Sequence, residues 1–392
     1  MKRYNRITPE GTRDLFSSEC LALRKTEQKL SQLFSSYGYR EVQTPGLEFF
    51  DLFSNGARAL PQEEMYKLTD LKGRLLVLRP DSTAPIARMV SGKLKGAALP
   101  LRLYYNQTVF RSNPSLKGKS DELRQMGIEL VGAAEGIADL EILTTAAEAL
   151  GISGAGDFRI EIGHVGFFKA IIARLGISEE EQNEIRSLIE SKSYAALGDL
   201  LAGMEQTPYT DALKRLPRLF GGEEVFAGAA ELAALCDELS EVLESLRNLY
   251  NGLCQLGFGD RIIIDLGLVG RMDYYTSFVF RGYISDCGDA VLSGGRYDTL
   301  YGEFGLEYPA VGFGVALDLL VKSIPQEEVP IAEVLIVAEK GQEIAAIRLH
   351  QRLSEEGKRV EISTFSEIAA AKVYAENQGI EEIIFLQEEG AE

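Results

Sequence analysis

The chain has 392 residues, of which 45% are hydrophobic and 26% are charged, a composition that excludes a fibrous repeat and an extensively disordered chain. At about 150 residues per domain, this length predicts two or three domains. The chain carries 41 Lys+Arg against 59 Asp+Glu, a net charge of −18, and such acidity disfavours a nucleic-acid partner because it repels phosphates.

Histidine and cysteine usage limits the possible chemistry. The chain has two histidines, His164 and His350, which excludes a His-rich metal site, and each is better explained as a structural residue than as an acid–base catalyst. The four cysteines stand singly, as expected for reduced thiols in a cytoplasmic protein. No signal peptide or membrane-spanning run is visible. We therefore expect a cytoplasmic protein that binds no metal, no cofactor and no membrane.

Helical and strand-like patterns alternate in the first half of the chain. Apolar residues recur at helical spacing from Ser17 to Tyr37, and Gly38 follows where a C-terminal cap belongs. Residues 39–45 then alternate like a strand that stops at a proline. Further strand-like runs lie at 75–78, 101–110, 127–131, 159–162, 261–266 and 277–282. Most of them alternate, which favours an antiparallel sheet with helices on one face, an α+β fold.

The rest of the chain indicates an insertion and a second module. Residues 166–253 are helical in pattern and include a capping box between Ser178 and Glu181, so we predict a helical insertion within a core domain of residues 1–323. Two prolines mark a linker at 324–330. Strand and helix patterns then alternate over 331–392, which predicts a small α/β module.

Polar residues interrupt apolar runs in several places. Asp81 and Thr83 follow a strand, where they suit either an ammonium ligand or the capping of the next helix. Tyr274 and Tyr275 suit a flat polar ring, although such tyrosines are also common core residues. The glycines that precede Arg296 permit a tight bend, and the alternating glycines at 312–314 permit close packing; both signals are weak alone.

The predicted hairpin around residue 115 carries a further polar pattern. Arg111 follows its first strand, and the period of two places Gln125, Gly127 and Glu129 on one face of its second strand. If that face is buried, the amide and the carboxylate need partners, which a polar ligand would supply. An exposed sheet face explains the pattern equally well.

Taken in order, these segments resemble the histidyl-tRNA synthetase family, which has the class II aminoacyl-tRNA synthetase fold. Residues 8–14 are similar to the family's N-terminal signature, and the helix and strand up to Pro45 resemble motif 1, the dimerisation element. Residues 79–83 resemble the segment that holds the histidine amino group, with Asp81 in place of the usual Glu. Gln125 and Glu129 match the substrate-binding pair, 273–275 the tyrosine motif and 294–298 the glycine motif.

The resemblance implies a class II synthetase-like core with a histidine pocket. In that pocket Glu129 with Tyr274 or Tyr275 would face the imidazole ring. The ammonium group would lie against Asp81, Thr83 and Gln125. Arg111 or Arg296 would lie near the carboxylate. No catalytic residue is assigned.

The cations that bind ATP in the family are mostly replaced. Asp121 falls where an ATP-contacting Arg is expected, Gly270 replaces the Arg that opens the tyrosine motif, and Leu319 replaces the motif 3 Arg, so that Arg111 alone remains. Aminoacyl adenylate formation needs such cations at the phosphates. From residue 326 to the end, 6 Lys+Arg stand against 15 Asp+Glu, a net of −9 where a synthetase would bind tRNA.

This pattern resembles the synthetase-like regulatory subunits of ATP phosphoribosyltransferase. The resemblance implies a non-catalytic subunit that joins the short catalytic subunit, activates it and mediates feedback inhibition by histidine in the first step of histidine biosynthesis. It also implies self-association as a dimer through the motif 1-like region and no tRNA partner. Two alternatives stay open: an active histidyl-tRNA synthetase with an unusual motif 2, and another synthetase-like paralogue that ligates or senses an amino acid.

Overall fold

The computed structural model describes residues 4–54, 56, 60–112, 120–270, 274–285, 287–325, 327–365 and 367–387. Its contacts divide the chain into two compact units, with the division between residues 326 and 327. This position falls inside the 324–330 segment. No described helix is both long enough and apolar enough to cross a bilayer.

The first unit contains both helices and strands. Its strands are β1 (Arg40–Glu41), β2 (Leu47–Phe49), β3 (Lys67–Thr69), β4 (Leu75–Leu78), β5 (Leu101–Phe110), β6 (Glu122–Val131), β7 (Phe158–His164), β8 (Phe220–Gly221), β9 (Ile262–Asp265), β10 (Phe278–Ile284), β11 (Leu292–Arg296) and β12 (Ala310–Ala316). Its α-helices are α1 (Ser17–Ser36), α2 (Thr83–Lys93), α3 (Ile137–Ser153), α4 (Val165–Ile172), α5 (Glu179–Glu190), α6 (Tyr194–Ala202), α7 (Pro208–Arg215), α8 (Glu224–Gly228), α9 (Ala230–Ala233), α10 (Asp237–Gln255) and α11 (Leu317–Lys322).

A nine-stranded sheet organises this unit, in the order β1-β5-β6-β12-β11-β10-β7-β9-β8. Its central pairings are antiparallel, but β1 pairs with β5 and β7 pairs with β9 in parallel. The predicted α+β fold, with a mainly antiparallel sheet and flanking helices, is confirmed, and two pairings at the sides of the sheet are parallel. Alternation reports which face of a strand is buried and contains no information on the direction of its neighbour. Strands β2, β4 and β3 form a separate antiparallel sheet.

Helices α1 and α3 cover one face of the large sheet. The prediction for α1 is confirmed from Ser17 onward, and its Leu30 and Phe34 are fully buried. The Phe34 ring meets the Phe313 ring of β12 at a centroid distance of 5.9 Å. The predicted strand at 39–45 is shorter than expected, because β1 contains only Arg40 and Glu41.

Helices α4 to α10 lie between β7 and β9 in the chain. The capping box at the start of α5 is formed as predicted: the backbone N–H of Glu181 donates to Ser178 Oγ at 3.2 Å, and the backbone N–H of Ser178 donates to Glu181 Oε2 at 2.9 Å. Buried leucines of α10 join the main core. The 166–253 region therefore packs as part of the first unit.

The second unit is a small α/β structure. Strands β13 (Val334–Ala338), β14 (Val360–Ile362) and β15 (Glu382–Leu386) form a parallel sheet in the order β14-β13-β15. Helices α12 (Glu343–Glu355) and α13 (Ile368–Gln378) connect them. The fully buried Val334, Leu335 and Ile336 lie on the central strand, as expected for a parallel sheet covered on both faces.

Candidate binding site

A cavity of about 290 Å³ lies on the face of the large sheet that α3 does not cover. Met126, Ile128 and Leu130 of β6 point into the core, so the alternate residues of that strand point toward the cavity. Seven of the eight residues predicted for the site line it: Asp81, Thr83, Arg111, Gln125, Glu129, Tyr274 and Tyr275.

Glycines on neighbouring strands make room for this cavity. A Cβ atom at Gly312 would lie 2.3 Å from Glu129 Oε2, and one at Gly314 would lie 2.6 Å from Gln125 Nε2. These distances are far below van der Waals contact, so any larger residue at either position would displace a polar side chain. The alternating glycines of β12 therefore serve the cavity as well as strand packing.

Glu129 is the more buried of the two carboxylates that line the cavity. Its side chain is 2% exposed, accepts a hydrogen bond from Thr83 Oγ1 at 2.8 Å and accepts another from the Tyr297 hydroxyl. Burial raises the pKa of Glu129 well above its usual range, the Thr83 bond opposes that rise, and the nearby Asp81 carboxylate adds to it. A cationic ligand group would offset this desolvation.

Gln125 and Asp81 provide further polar groups. Gln125 Oε1 is buried and has no hydrogen-bond partner among the described residues. Asp81 Oδ2 accepts from the backbone N–H of Ala84 at 2.9 Å, while its Oδ1 lies 4.0 Å from Arg111 Nη2. Asp81 therefore caps the start of α2 and also faces the cavity. Helix capping and contact with a ligand, the two roles considered for this residue, are compatible. Arg111 is anchored by a 2.7 Å bond from Nε to the Pro80 carbonyl.

Three tyrosines form an aromatic wall. The Tyr274 ring lies 4.9 Å from the Tyr275 ring and 5.6 Å from the Tyr297 ring, measured between centroids. Burial is the main cause that raises the pKa of both Tyr274 and Tyr275, so their hydroxyls stay protonated at neutral pH. The wall offers flat apolar faces beside hydroxyl groups, which suits an aromatic polar ring.

Arg296 does not belong to the cavity, which corrects the prediction for that residue. Its side chain is 0% exposed and lies on the α3 side of the sheet, where Nε donates to Asp139 Oδ1 at 2.8 Å. Nη1 donates to Asp298 Oδ1 at 2.8 Å and to the Ala133 carbonyl at 3.1 Å. Strand alternation explains the difference, because it places Arg296 and Gly295 on opposite faces.

Four polar lining residues were absent from the predicted set: Tyr105, Arg281, Ser293 and Tyr297. Arg281 gave the same signal as the predicted residues, since it is a charged residue within an apolar strand. Its Nη2 donates to Glu190 Oε2 of α5 at 2.7 Å. Tyr297 lies inside the glycine motif and could have been found there.

Asp121, Gly270 and Leu319, which stand where the synthetase family has arginines, have structural surroundings of their own. Asp121 Oδ2 accepts from the Tyr66 hydroxyl at 2.5 Å, and that bond is the main cause that raises the Tyr66 pKa to about 12. Gly270 has a left-handed φ of +78°, and Leu319 packs against the main core. Arg271, which follows Gly270 in the sequence, and Asp273 of the tyrosine motif lie outside the described residues.

Neither a metal cluster nor a catalytic histidine is indicated in the described part of the chain. No group of three or more His, Cys, Asp or Glu side chains in it is placed to hold a metal ion. His164 is buried at the start of α4, where Nδ1 accepts from the backbone N–H of Gly166 at 3.0 Å and Nε2 lies 3.1 Å from Ser277 Oγ. These contacts tie the start of α4 to the segment that leads into β10.

Comparisons with known proteins agree with this architecture. A family model described as histidyl-tRNA synthetase matches residues 11–320. An ATP phosphoribosyltransferase regulatory subunit from Bacillus cereus (strain AH187) is 38% identical over 375 residues, which cover 94% of this chain and 89% of that protein. Another such regulatory subunit, from Bacillus thuringiensis subsp. konkukian (strain 97-27), is 39% identical over 375 residues, with the same coverage of both chains.

Solved structures give the same result. A crystal structure titled as an ATP phosphoribosyltransferase regulatory subunit/histidyl-tRNA synthetase from Bacillus halodurans C has a TM-score of 0.86 and 29% identity, covering 98% of this chain and 99% of that one. A histidyl-tRNA synthetase from Nostoc sp. PCC 7120, with a TM-score of 0.77, 21% identity and coverage of 96% and 90%, shares the fold. The chain belongs to the histidyl-tRNA synthetase-like family, and within it to the ATP phosphoribosyltransferase regulatory subunits.

Proposed function

We propose that this chain is a non-catalytic subunit that joins a short ATP phosphoribosyltransferase catalytic subunit, activates it and conveys feedback inhibition by histidine. The similarity to regulatory subunits supports the activating role. In this proposal histidine binds in the cavity on the large sheet, and the chain self-associates through the region of α1 and β1.

The proposal that histidine is the ligand rests mainly on the buried carboxyl of Glu129. This carboxyl is held by two hydroxyl donors, beside the tyrosine wall and Gln125 Oε1, which has no hydrogen-bond partner in the described part of the chain. A histidine side chain supplies a flat ring with N–H donors for Glu129, and the amino group supplies donors for Gln125 and Asp81. Arg111 remains a candidate for the carboxylate.

The absence of synthetase activity is supported by the replaced cations. Asp121, Gly270 and Leu319 stand where arginines would contact ATP, and loss of one such donor typically costs about 100-fold or more in rate. The net charge of −9 from residue 326 onward supports the absence of a tRNA partner. Regulation needs only about 1–3 kcal/mol of coupling between histidine and the state of the complex.

The activating role is tested by adding the purified chain to a short catalytic subunit from the same organism. We expect the rate of phosphoribosyl transfer to rise and added histidine to lower it. If the chain does not stimulate the catalytic subunit, the proposed partner is wrong. The same preparation is assayed for histidine-dependent exchange between ATP and pyrophosphate, where turnover would instead indicate an active synthetase.

The ligand is tested by calorimetric titration of histidine into the wild-type chain and into Glu129→Gln. We expect at least a tenfold loss of affinity in the variant, because an amide replaces the buried carboxyl that accepts from the ring. Glu244→Gln, on the exposed side of α10, is the matched control and should bind like the wild type. Equal affinity in Glu129→Gln would place the histidine site elsewhere.

A further inference from the structure

Arg281 is a cation of the cavity for which neither the sequence motifs nor the comparisons give a role. It lies in the middle of β10, and its register partners across the sheet are Ser293 on β11, then Gly314 on β12 and Gly127 on β6. Both Arg281 and Ser293 line the cavity. Arg281 therefore lies at the opposite side of the cavity from Glu129.

The same side chain contacts the insertion. Arg281 Nη2 donates to Glu190 Oε2 at 2.7 Å, and both side chains are mostly buried, at 26% and 19% exposed. A guanidinium group has five N–H donors in a planar fork, so its contacts with Glu190 and with the nearby Tyr283 hydroxyl leave donors for another acceptor. Arg281 can thus contact a ligand and α5 through one rigid group.

Glu190 is poorly stabilised by its own helix. It is the last residue of α5, where the negative end of the helix dipole repels a carboxylate, and the last turn contains no basic residue. Its second oxygen, Oε1, is buried without a hydrogen-bond partner among the described residues. The Arg281 contact is therefore the principal described attraction that holds this carboxylate at the sheet.

The other two arginines considered for the ligand carboxylate are less suitable. Arg296 lies on the opposite face of the sheet, bound to Asp139. Arg111 is anchored to the Pro80 carbonyl and lies 4.0 Å from Asp81, which is on the side of the cavity proposed for the ammonium group of the ligand. Arg281 combines a position in the cavity wall with unused donors.

We propose that Arg281 binds the carboxylate of the amino acid in the cavity and that this contact weakens its ion pair with Glu190. Occupancy of the cavity is thereby transmitted to α5 of the insertion, since two carboxylates compete for one guanidinium. The inference rests on the proposed histidine site and assigns it both a specificity residue and a route to a second element.

The specificity role is tested by comparing histidine with histidinol, in which a neutral hydroxymethyl group replaces the carboxylate. Calorimetry on the wild type should show at least tenfold tighter binding of histidine, as a charge-assisted contact implies. In Arg281→Gln we expect this preference to fall to about twofold or less, while histidinol binds as before. Arg174→Gln, which removes a comparable 2.7 Å pair with Glu238 outside the cavity, is the control and should keep the preference.

The coupling role is tested with Glu190→Gln. Removal of the competing carboxylate should tighten histidine binding severalfold and leave histidinol binding unchanged. Hydrogen exchange of the α5 amides should rise when histidine is added to the wild type, but not when histidinol is added. Unchanged histidine affinity in Glu190→Gln, or unchanged exchange, would overturn the coupling.

The outcomes separate this inference from the function on which it rests. If the wild type binds histidine and Arg281→Gln keeps the full preference over histidinol, the role of Arg281 is wrong and the histidine site stands. If the wild type binds neither compound, the histidine site itself is wrong. Arg281→Lys, which retains the charge without the fork, provides a second test and should keep an intermediate preference.

Discussion

The guanidinium of Arg296 donates two hydrogen bonds to one oxygen of Asp139, through Nε at 2.8 Å and through Nη2. This pair joins β11 to the first turn of α3, and both side chains are almost completely buried. Asp298 provides a second carboxylate for the same guanidinium. The pair therefore fixes a core helix to the strand that leads into the Tyr297 side of the cavity.

Replacement of Asp139 by Asn should destabilise the first unit by about 3 kcal/mol, because it leaves a buried guanidinium with one carboxylate instead of two. Asn retains an oxygen that can accept from the Gly136 N–H, so the helix start is largely preserved. Urea unfolding measures the difference. Asp199→Asn on the exposed side of α6 should change the free energy of unfolding by about 0.5 kcal/mol or less, and a similarly small effect at Asp139 would contradict the prediction.

Replacement of Glu129 by Gln should raise the free energy of unfolding at alkaline pH. Because burial raises the pKa of Glu129 in the folded chain, its contribution to stability is complete below the ordinary glutamate range and is lost as the pH rises toward the folded value. Over that interval the free energy of unfolding of the wild type should fall by up to about 1.4 kcal/mol per pH unit relative to that of the variant. Urea titrations from pH 4 to pH 9 measure the difference, and parallel curves would show that Glu129 is not desolvated.

His164 should make the protein sensitive to acid. Burial lowers the pKa of His164 from 6.5 to about 4, so its stabilising contribution is complete above pH 6.5 and is lost as the pH falls toward 4. The loss amounts to about 3 kcal/mol at most. Asn is a matched replacement because its side-chain oxygen can accept from the Gly166 N–H as Nδ1 does. In His164→Asn the fall in unfolding free energy between pH 6.5 and pH 4 should be correspondingly smaller, and an equal fall would exclude His164 as the cause.

Asp265 should have the opposite pH dependence. Burial raises the pKa of Asp265 from 3.8 to about 6, so its contribution is complete below pH 3.8 and is lost as the pH rises through 6. In Asp265→Asn the side-chain oxygen can still accept from the Gly267 N–H, but the buried charge is removed. The variant should be more stable than the wild type by about 3 kcal/mol at most at pH 7 and similar to it near pH 4. Thermal unfolding at both pH values tests this, and a less stable variant at pH 7 would refute it.

Local patterns predicted most of the individual elements. The capping box between Ser178 and Glu181 and the start of α1 depend on neighbours a few residues apart, and both are confirmed. The parallel pairings of β1 and β9 depend on contacts between distant segments, which alternation within one strand does not encode. The sequence therefore indicated the elements better than their directions.

The cavity was partly predictable for the same reason. The period of two along β6 placed Gln125 and Glu129 on one face, and both line the cavity. Arg296 lies outside the cavity because adjacent strand residues point to opposite faces, so a motif that runs along β11 does not bring all its side chains to one site. Arg281 has a sequence signal, a charge within an apolar strand, but its position beside Ser293 and Gly314 follows only from the register of β10, β11 and β12.

The position of β11 and β12 between Arg281 and Glu129 has a consequence for the size of any ligand. Three strand spacings separate their strands, about 14 Å between backbones. Those strands are joined by continuous ladders of backbone hydrogen bonds, so this separation cannot change without breaking them. A molecule that touches both ends of the cavity is thus selected by its length as well as by its charge, and the length is set by the backbone of the sheet.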